Sequence, residues 1–260
     1  MGFVAKKLLA KNAPPRGLLY AWGNTTNGEV GNSVSNFVPI NVGTSSWTQV
    51  AAGTNHTAAI RSDGGLFTWG YNGFFGRLGL GDTTNRSSPV QVGTSSWTQV
   101  SAGSIHTAAI RSDGGLFTWG FNGNGQLGLG NQTNSSSPVQ VGTSSWTQVG
   151  AGGIHTAAIR SDGGLFTWGN NSNGQLGLGD ITNRSSPVQV GTSSWTQVGA
   201  GGSHTVAIRS DGGLFTWGNN GNGQLGLGDT TARSSPVQVG TSSWTQVSAG
   251  AGAHTATITS

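Results

Sequence analysis

The sequence contains no cysteine, which excludes disulfides, thiolate metal sites and cysteine nucleophiles. A chain without cysteine suits either redox compartment. Charge is scarce: Asp, Glu, Lys and Arg make up 8% of the 260 residues, against roughly 25% in an average soluble protein. Glu29 is the single glutamate, which leaves little for carboxylate chemistry. No apolar run approaches the ~18 residues of a membrane span. Helical periodicity is absent throughout, and the 47 glycines would undo a helix where one began.

What is present is aromatic and small. Ten Trp and nine Phe must be buried somewhere, which argues against disorder. The net charge of +4 is unevenly placed. Lys6, Lys7, Lys11 and Arg16 lie in the first 16 residues, while from Gly17 onward eight Arg face eight acidic residues. The body is therefore neutral and its leading segment basic. The body lacks the basic stripe of a nucleic-acid binder, so nucleic acid is not an expected partner.

Trp-Gly pairs begin at Trp22, Trp69, Trp119, Trp168 and Trp217. A second Trp, in Ser-Ser-Trp-Thr-Gln-Val, recurs at Trp47, Trp97, Trp146, Trp195 and Trp244, and a His-Thr pair at His56, His106, His155, His204 and His254. Three independent markers share a period of about 49 residues, the mark of a repeat architecture. Each unit predicts four short strands: Trp97–Val100, His106–Arg111, Leu116–Trp119 and Pro138–Val141. Asp113-Gly114 predicts a two-residue hairpin turn of type I′ between the second and third. A Gly- and Asn-rich loop, Gly120–Ser137, follows the third. Four antiparallel strands in each unit predict an all-β fold, a β-propeller whose four-stranded blades cover one another's faces.

The remainders at the two ends are complementary. Four complete blades run Trp47–Val92, Trp97–Val141, Trp146–Val190 and Trp195–Val239. Two strands are left at each end, Leu18–Trp22 with Pro39–Val42, and Trp244–Val247 with His254–Thr259. The expectation is five four-stranded blades, with a composite blade closed by both termini through pairing of Leu18–Trp22 with His254–Thr259. Residues 1–17 form a basic N-terminal arm and residues 18–260 a single domain of five repeats.

The segments Gly114–Gly120, Asn124–Gly130, Ser137–Val141 and Ala102–Thr107 resemble repeats of the regulator of chromosome condensation family. The resemblance covers about 240 residues. It implies a propeller of four-stranded blades, and its best-known member has seven, promotes nucleotide exchange on a small GTPase and contacts chromatin. Here five blades fit, they are nearly identical, and no long insertion supplies a wedge for a nucleotide site. The fold transfers better than the exchange activity.

Candidate sites divide into repeated and unrepeated features. Gly123-x-Gly125-x-x-Gly128 and Gly221-x-Gly223-x-x-Gly226 match the dinucleotide fingerprint, but no helix follows to hold a pyrophosphate, so they read as loop structure. The five His are expected to bond neighbouring backbone; the competing reading has them line a channel and bind an ion. Asp63, Asp113, Asp162 and Asp211 belong to turns. Asp82, Asp180 and Asp229 sit in the long loops, where Asn131 replaces them once. Neither a nucleophile elbow nor a separated acid–base pair is present, so the chain is expected to be no enzyme, to bind no metal and to need no cofactor. The repeated Trp residues read as interblade core, or alternatively as stacking platforms for sugars.

The loop Tyr71-Asn72-Gly73-Phe74-Phe75-Gly76-Arg77 departs from the repeat, and Phe74, Phe75 and Arg77 are partner-binding candidates. The arm is the other, through Lys6, Lys7, Leu8, Leu9 and Lys11. It is too short for a secretory signal and lacks the apolar core of one. The expected function is a non-enzymatic binding or structural propeller. A low-charge Asn/Ser/Thr/Gly surface favours a virion or extracellular setting over the cytoplasm, in concrete form a phage virion or tail component docked through the arm to other virion proteins. A multivalent glycan-binding module and a guanine-nucleotide exchange factor are the alternatives.

Overall fold

The computed structural model describes residues 17–31, 36–250 and 252–259. The arm residues Lys6, Lys7, Leu8, Leu9 and Lys11 lie outside them. The described chain is all-β apart from one 3₁₀ turn at Gly73–Phe75. None of its helices is long and apolar enough to cross a membrane.

The N-terminal strands β1 (Tyr20–Gly23) and β2 (Asn36–Asn41) form a two-stranded antiparallel sheet. The first complete blade uses β3 (Trp47–Ala52), β4 (His56–Arg61), β5 (Gly65–Gly70) and the first half of β6 (Arg86–Ala102). The second takes the rest of β6, β7 (His106–Arg111), β8 (Gly115–Gly120) and the first half of β9 (Ser135–Ala151). The third continues with β10 (His155–Arg160), β11 (Gly164–Gly169) and the first half of β12 (Arg184–Ala200). The fourth ends through β13 (His204–Arg209), β14 (Leu214–Gly218) and β15 (Arg233–Gln238). A last two-stranded sheet pairs β16 (Trp244–Ala249) with β17 (Thr255–Thr259). Four complete blades and two half-blades account for the five repeats.

Three expectations need correction. The fourth strand of one blade and the first of the next are one continuous strand of 17 residues in β6, β9 and β12. The connector keeps extended pairing because the preceding blade's hairpin reaches it, as Gly115 does opposite Ser145 across a bulge. The hairpin loop holds three residues rather than two. Gly114 N–H bonds the Arg111 carbonyl at 2.9 Å, and Gly114 takes φ +85°, the geometry of a β-turn followed by a left-handed glycine. Finally, β1 pairs with β2 and β17 with β16, and among the described residues no pairing joins β17 to β1. Each half-blade is instead fixed to its inner neighbour.

The core lies between blades. Trp69, Trp119, Trp168 and Trp217 are fully buried, and Trp97, Trp146 and Trp195 are 5% exposed. The rings meet edge to face or tilted, Trp97 and Trp119 edge to face at 6.3 Å between ring centres and Trp97 and Phe117 at 5.5 Å, the packing the ring quadrupoles prefer. The small residues of β3, β16 and the ends of β6, β9 and β12, such as Ala51, Ser101, Gly150, Gly199 and Ser248, surround a cavity of about 240 Å³.

Gly128 shows why the loops must be glycine-rich. It has φ +72°, and a Cβ there would stand 2.6 Å from Nε1 of Trp168. Gly128→Ala is expected to cost about 1–3 kcal/mol, combining backbone strain with overpacking. The check is the denaturation midpoint, against Gly226→Ala, where φ is +66° but the nearest atom lies 3.8 Å away. Equal losses at both positions would show that the indole contact is not what requires glycine.

Candidate functional site

The repeated histidines do not line the axial cavity. Each begins a strand or directly precedes one, and His56, His106, His155 and His204 reach across to the threonine of the following blade. The Nε2–Oγ1 distances are 2.8 Å to Thr107, 2.9 Å to Thr156, 2.9 Å to Thr205 and 3.1 Å to Thr255. The partner is thus a side chain of the next blade, not neighbouring backbone as the sequence suggested. Thr107 spends its own hydrogen on the carbonyl of Arg77 at 2.8 Å. The hydroxyl therefore accepts, and His56 must donate from Nε2. Trp119 donates its indole N–H to the same carbonyl at 2.9 Å. One clasp, histidine to threonine to loop carbonyl to tryptophan, joins the four complete blades at their three interfaces.

Burial sets the protonation of these rings. It pushes His56 down to about 3, helped by Arg77 and His106, and His155 down to about 3, helped by His106 and His204. His106 falls to about 4 by burial, and His204 to about 4 by burial and then His254. All four are neutral at pH 7. No group of three His, Cys, Asp or Glu able to hold a metal occurs among the described residues.

The carboxylates are engaged in turns and loops. Asp113 pairs with Arg111 at 2.5 Å and accepts the Gly115 N–H, while the Arg111 guanidinium lies 4.7 Å above the Phe117 ring. The Arg111 hydrogen bond and then the Gly115 N–H hold Asp113 at about 2. Asp63, Asp162 and Asp211 repeat the arrangement. Asp82, Asp180 and Asp229 pair with Arg86, Arg184 and Arg233 and cap the loop asparagines Asn72, Asn171 and Asn220. Asn131 does the same for Asn122.

The unrepeated loop splits its three candidates. Phe74 is 87% exposed. Phe75 packs against Phe121 of the next blade, the rings tilted at 4.7 Å between centres. Arg77 turns inward, 3% exposed, over the Tyr71 ring at 4.7 Å, and donates to the Ser104 carbonyl at 2.9 Å. Its inward course follows from the repeat: position 77 matches Gln126, Gln175 and Gln224, all buried. Of the three, Phe74 is the exposed one, Phe75 is half-buried and Arg77 is buried. Three equivalent surface grooves of about 350–590 Å³ also recur, each lined by a Leu-Gly pair, a Trp, an Arg, a Phe and a Pro, such as Leu80, Gly81, Trp97, Arg111, Phe117 and Pro138. The sequence had not pointed to them, because their walls come from successive blades.

Comparison with known proteins places this architecture. The family model of the RCC1-like domain matches residues 13–259. Human WBSCR16 is similar in structure, 25% identical, with a TM-score of 0.84 over 94% of this chain and 68% of that one. Yeast RCC1 (Prp20), solved with Kap60 bound, is 21% identical, with a TM-score of 0.82 over 94% of this chain and 64% of that one. In sequence, the chain is 40% identical over 75 residues to the ultraviolet-B receptor UVR8 of Arabidopsis thaliana, a match covering 27% of this chain and 17% of the receptor.

Proposed function

The chain belongs to the RCC1-like domain family, and from that premise we propose that it is a non-catalytic propeller that binds a protein partner through unrepeated features on its rim. The supporting observation is how the repeated polar groups are used. His56, His106, His155 and His204 are sealed between blades, and the aspartates are held by arginine. Single-site recognition then falls to what occurs once, and Phe74 is a bare aromatic at a loop tip of the kind that anchors interfaces. The basic arm, through Lys6, Lys7 and Lys11, adds steering toward an acidic partner.

The comparisons give the virion and glycan readings no support, and burial of Trp69, Trp97, Trp119, Trp146, Trp168, Trp195 and Trp217 removes most of the repeated indoles as sugar platforms. Yeast Prp20 has been studied for its binding to Gsp1p and histones; exchange activity in this chain is the second reading. Two measurements test the proposal. A photoreactive residue at position 74 is expected to give a discrete protein adduct, competed away by unmodified protein, and the same residue at the exposed Ile181 is expected to give none. Labelled nucleotide bound to a small GTPase should leave no faster when the chain is added. Accelerated release would replace the proposal with exchange activity. Equal labelling from positions 74 and 181 would remove the loop from it.

A further inference from the structure

We propose that the two free half-blade edges are mates, and that the groove beside β17 is the docking site for the N-terminal half-blade of a second copy of this chain.

The internal interfaces define what the groove lacks. In each, a loop carbonyl of one blade receives both the threonine hydroxyl and the indole N–H of the next. The carbonyls are Glu29, Arg77, Gln126 and Gln175, and the indoles Trp69, Trp119, Trp168 and Trp217. The Gln224 carbonyl receives the Thr255 hydroxyl at 2.9 Å, and among the described residues no indole. Gly31, Gly79, Gly128 and Gly177 each lie against the buried indole, where a Cβ would stand 2.6–3.3 Å from the tryptophan. Gly226, in the same place of the last repeat, has only Val239 nearby, at 3.8 Å. Gln224, Leu225, Gly226, Val239, Trp244 and His254 line an open groove of about 360 Å³ in that position. It has the walls of a tryptophan seat without the tryptophan.

The missing piece is at the other edge. Trp22 is 60% exposed, although the matching indoles are fully buried. Leu18 and Tyr20 beside it are exposed, and on the groove side Ile258 is 55% exposed. His254 is exposed as well, and the hydroxyl of Thr57, the residue at the place its counterparts reach, donates to the Glu29 carbonyl and among the described residues meets no histidine. Joining the edges in the register of β13 and β14 would set Thr255 opposite Trp22, Ala256 opposite Ala21 and Ile258 opposite Leu19. It would supply both absent clasp bonds, Trp22 to the Gln224 carbonyl and His254 to Thr57.

Among the described residues the chain's own N-terminal half-blade does not enter the groove: β1 pairs with β2, and no pairing joins it to β17. Gly17 accepts from Trp47 N–H at 2.8 Å, and Glu29 accepts from Thr57 and Trp69, which fasten β1 and β2 to the following blade. At the other end, Thr255 and Val247 are bonded to His204 and Gln197 of the preceding one. With each half-blade fastened to its inner neighbour and the two edges unpaired, the occupant assigned to the groove is the half-blade of another copy. Such an interface is head to tail, with each copy using two different surfaces.

The absence of cysteine makes the test clean. Full-length Ala21→Cys and Ala256→Cys proteins are mixed under mild oxidation and resolved without reductant. The expected product is a cross-linked dimer containing one of each, absent when either variant is alone and increasing with concentration. Trp22→Ala in the Ala21→Cys protein should cut that product about tenfold or more, without changing the melting temperature of the dilute protein. Cross-linking confined within single chains of the Ala21→Cys/Ala256→Cys double variant would overturn the proposal in favour of self-closure. A mixture that forms no cross-link and sediments as monomer at every concentration would overturn it outright.

Discussion

Acidification from pH 7 to pH 4 is expected to remove most of the stability of the fold, well before the aspartates protonate. Unfolded histidines titrate near 6.5, whereas His56 and His155 hold out to about 3 and His106 and His204 to about 4. Between those limits the unfolded chain binds more protons than the folded one. Stability therefore rises with pH across this window and is lost as pH falls through it. Each ring costs on the order of 1 kcal/mol per pH unit, so four rings over two units approach ~10 kcal/mol, comparable with the whole stability of an ordinary domain. Asp63, Asp113, Asp162 and Asp211 sit near 2, so their contribution starts to be lost only as pH falls through the unfolded carboxylate value near ~4. Urea midpoints at pH 7, 6, 5 and 4 measure the effect. A midpoint that holds steady to pH 4.5 would mean that the rings are not sealed between blades, and the clasp would lose its meaning.

How much of this was legible in the sequence depends on whether a feature is local. The blades were legible, because the aromatic markers recur in one order and a four-stranded unit fits between them. Burial of Trp69, Trp97, Trp119, Trp146, Trp168, Trp195 and Trp217 followed from the same pattern, but Trp22 at the free edge is 60% exposed. The hairpin loop was misjudged by one residue, since Asp113-Gly114 suits both a two-residue turn and the second half of a longer one. The fusion of strands in β6 depends on Gly65 pairing with Ser96, a contact between remote positions that periodicity does not show. The histidine partner is 50 or 51 residues away, in the next unit, so a reading confined to one unit finds only backbone. A signal did exist for Arg77. It occupies the column of Gln126, Gln175 and Gln224, and a column that repeats serves the fold even when one member changes type. The composite pairing expected of β1 and β17 rested on counting strands. Counting shows that two half-blades match, but the contacts each makes with its neighbour decide where it sits.

The sharpest contrast should come from two tryptophans with the same place in the repeat. Trp119→Ala is expected to cost about 3–5 kcal/mol, the range for deleting a buried aromatic side chain. Trp119 is fully buried, packs on Trp97, and bonds the Arg77 carbonyl at 2.9 Å. Its loss opens a void between two blades and leaves that carbonyl with the Thr107 hydroxyl alone. For a chain of this size the melting temperature should fall by roughly 10 °C. Trp22→Ala removes the same side chain from the equivalent position of the first repeat, but there the indole is 60% exposed. In dilute protein its cost should stay within about 0.5 kcal/mol, as for other surface substitutions. The pair reports on the free edge without any assumption about partners. Matching losses in dilute protein would place Trp22 in a closed interface, so that the groove beside Gly226 is filled in solution. Unequal losses, with Trp119 dominant, would show the edge open and the groove free to receive another copy.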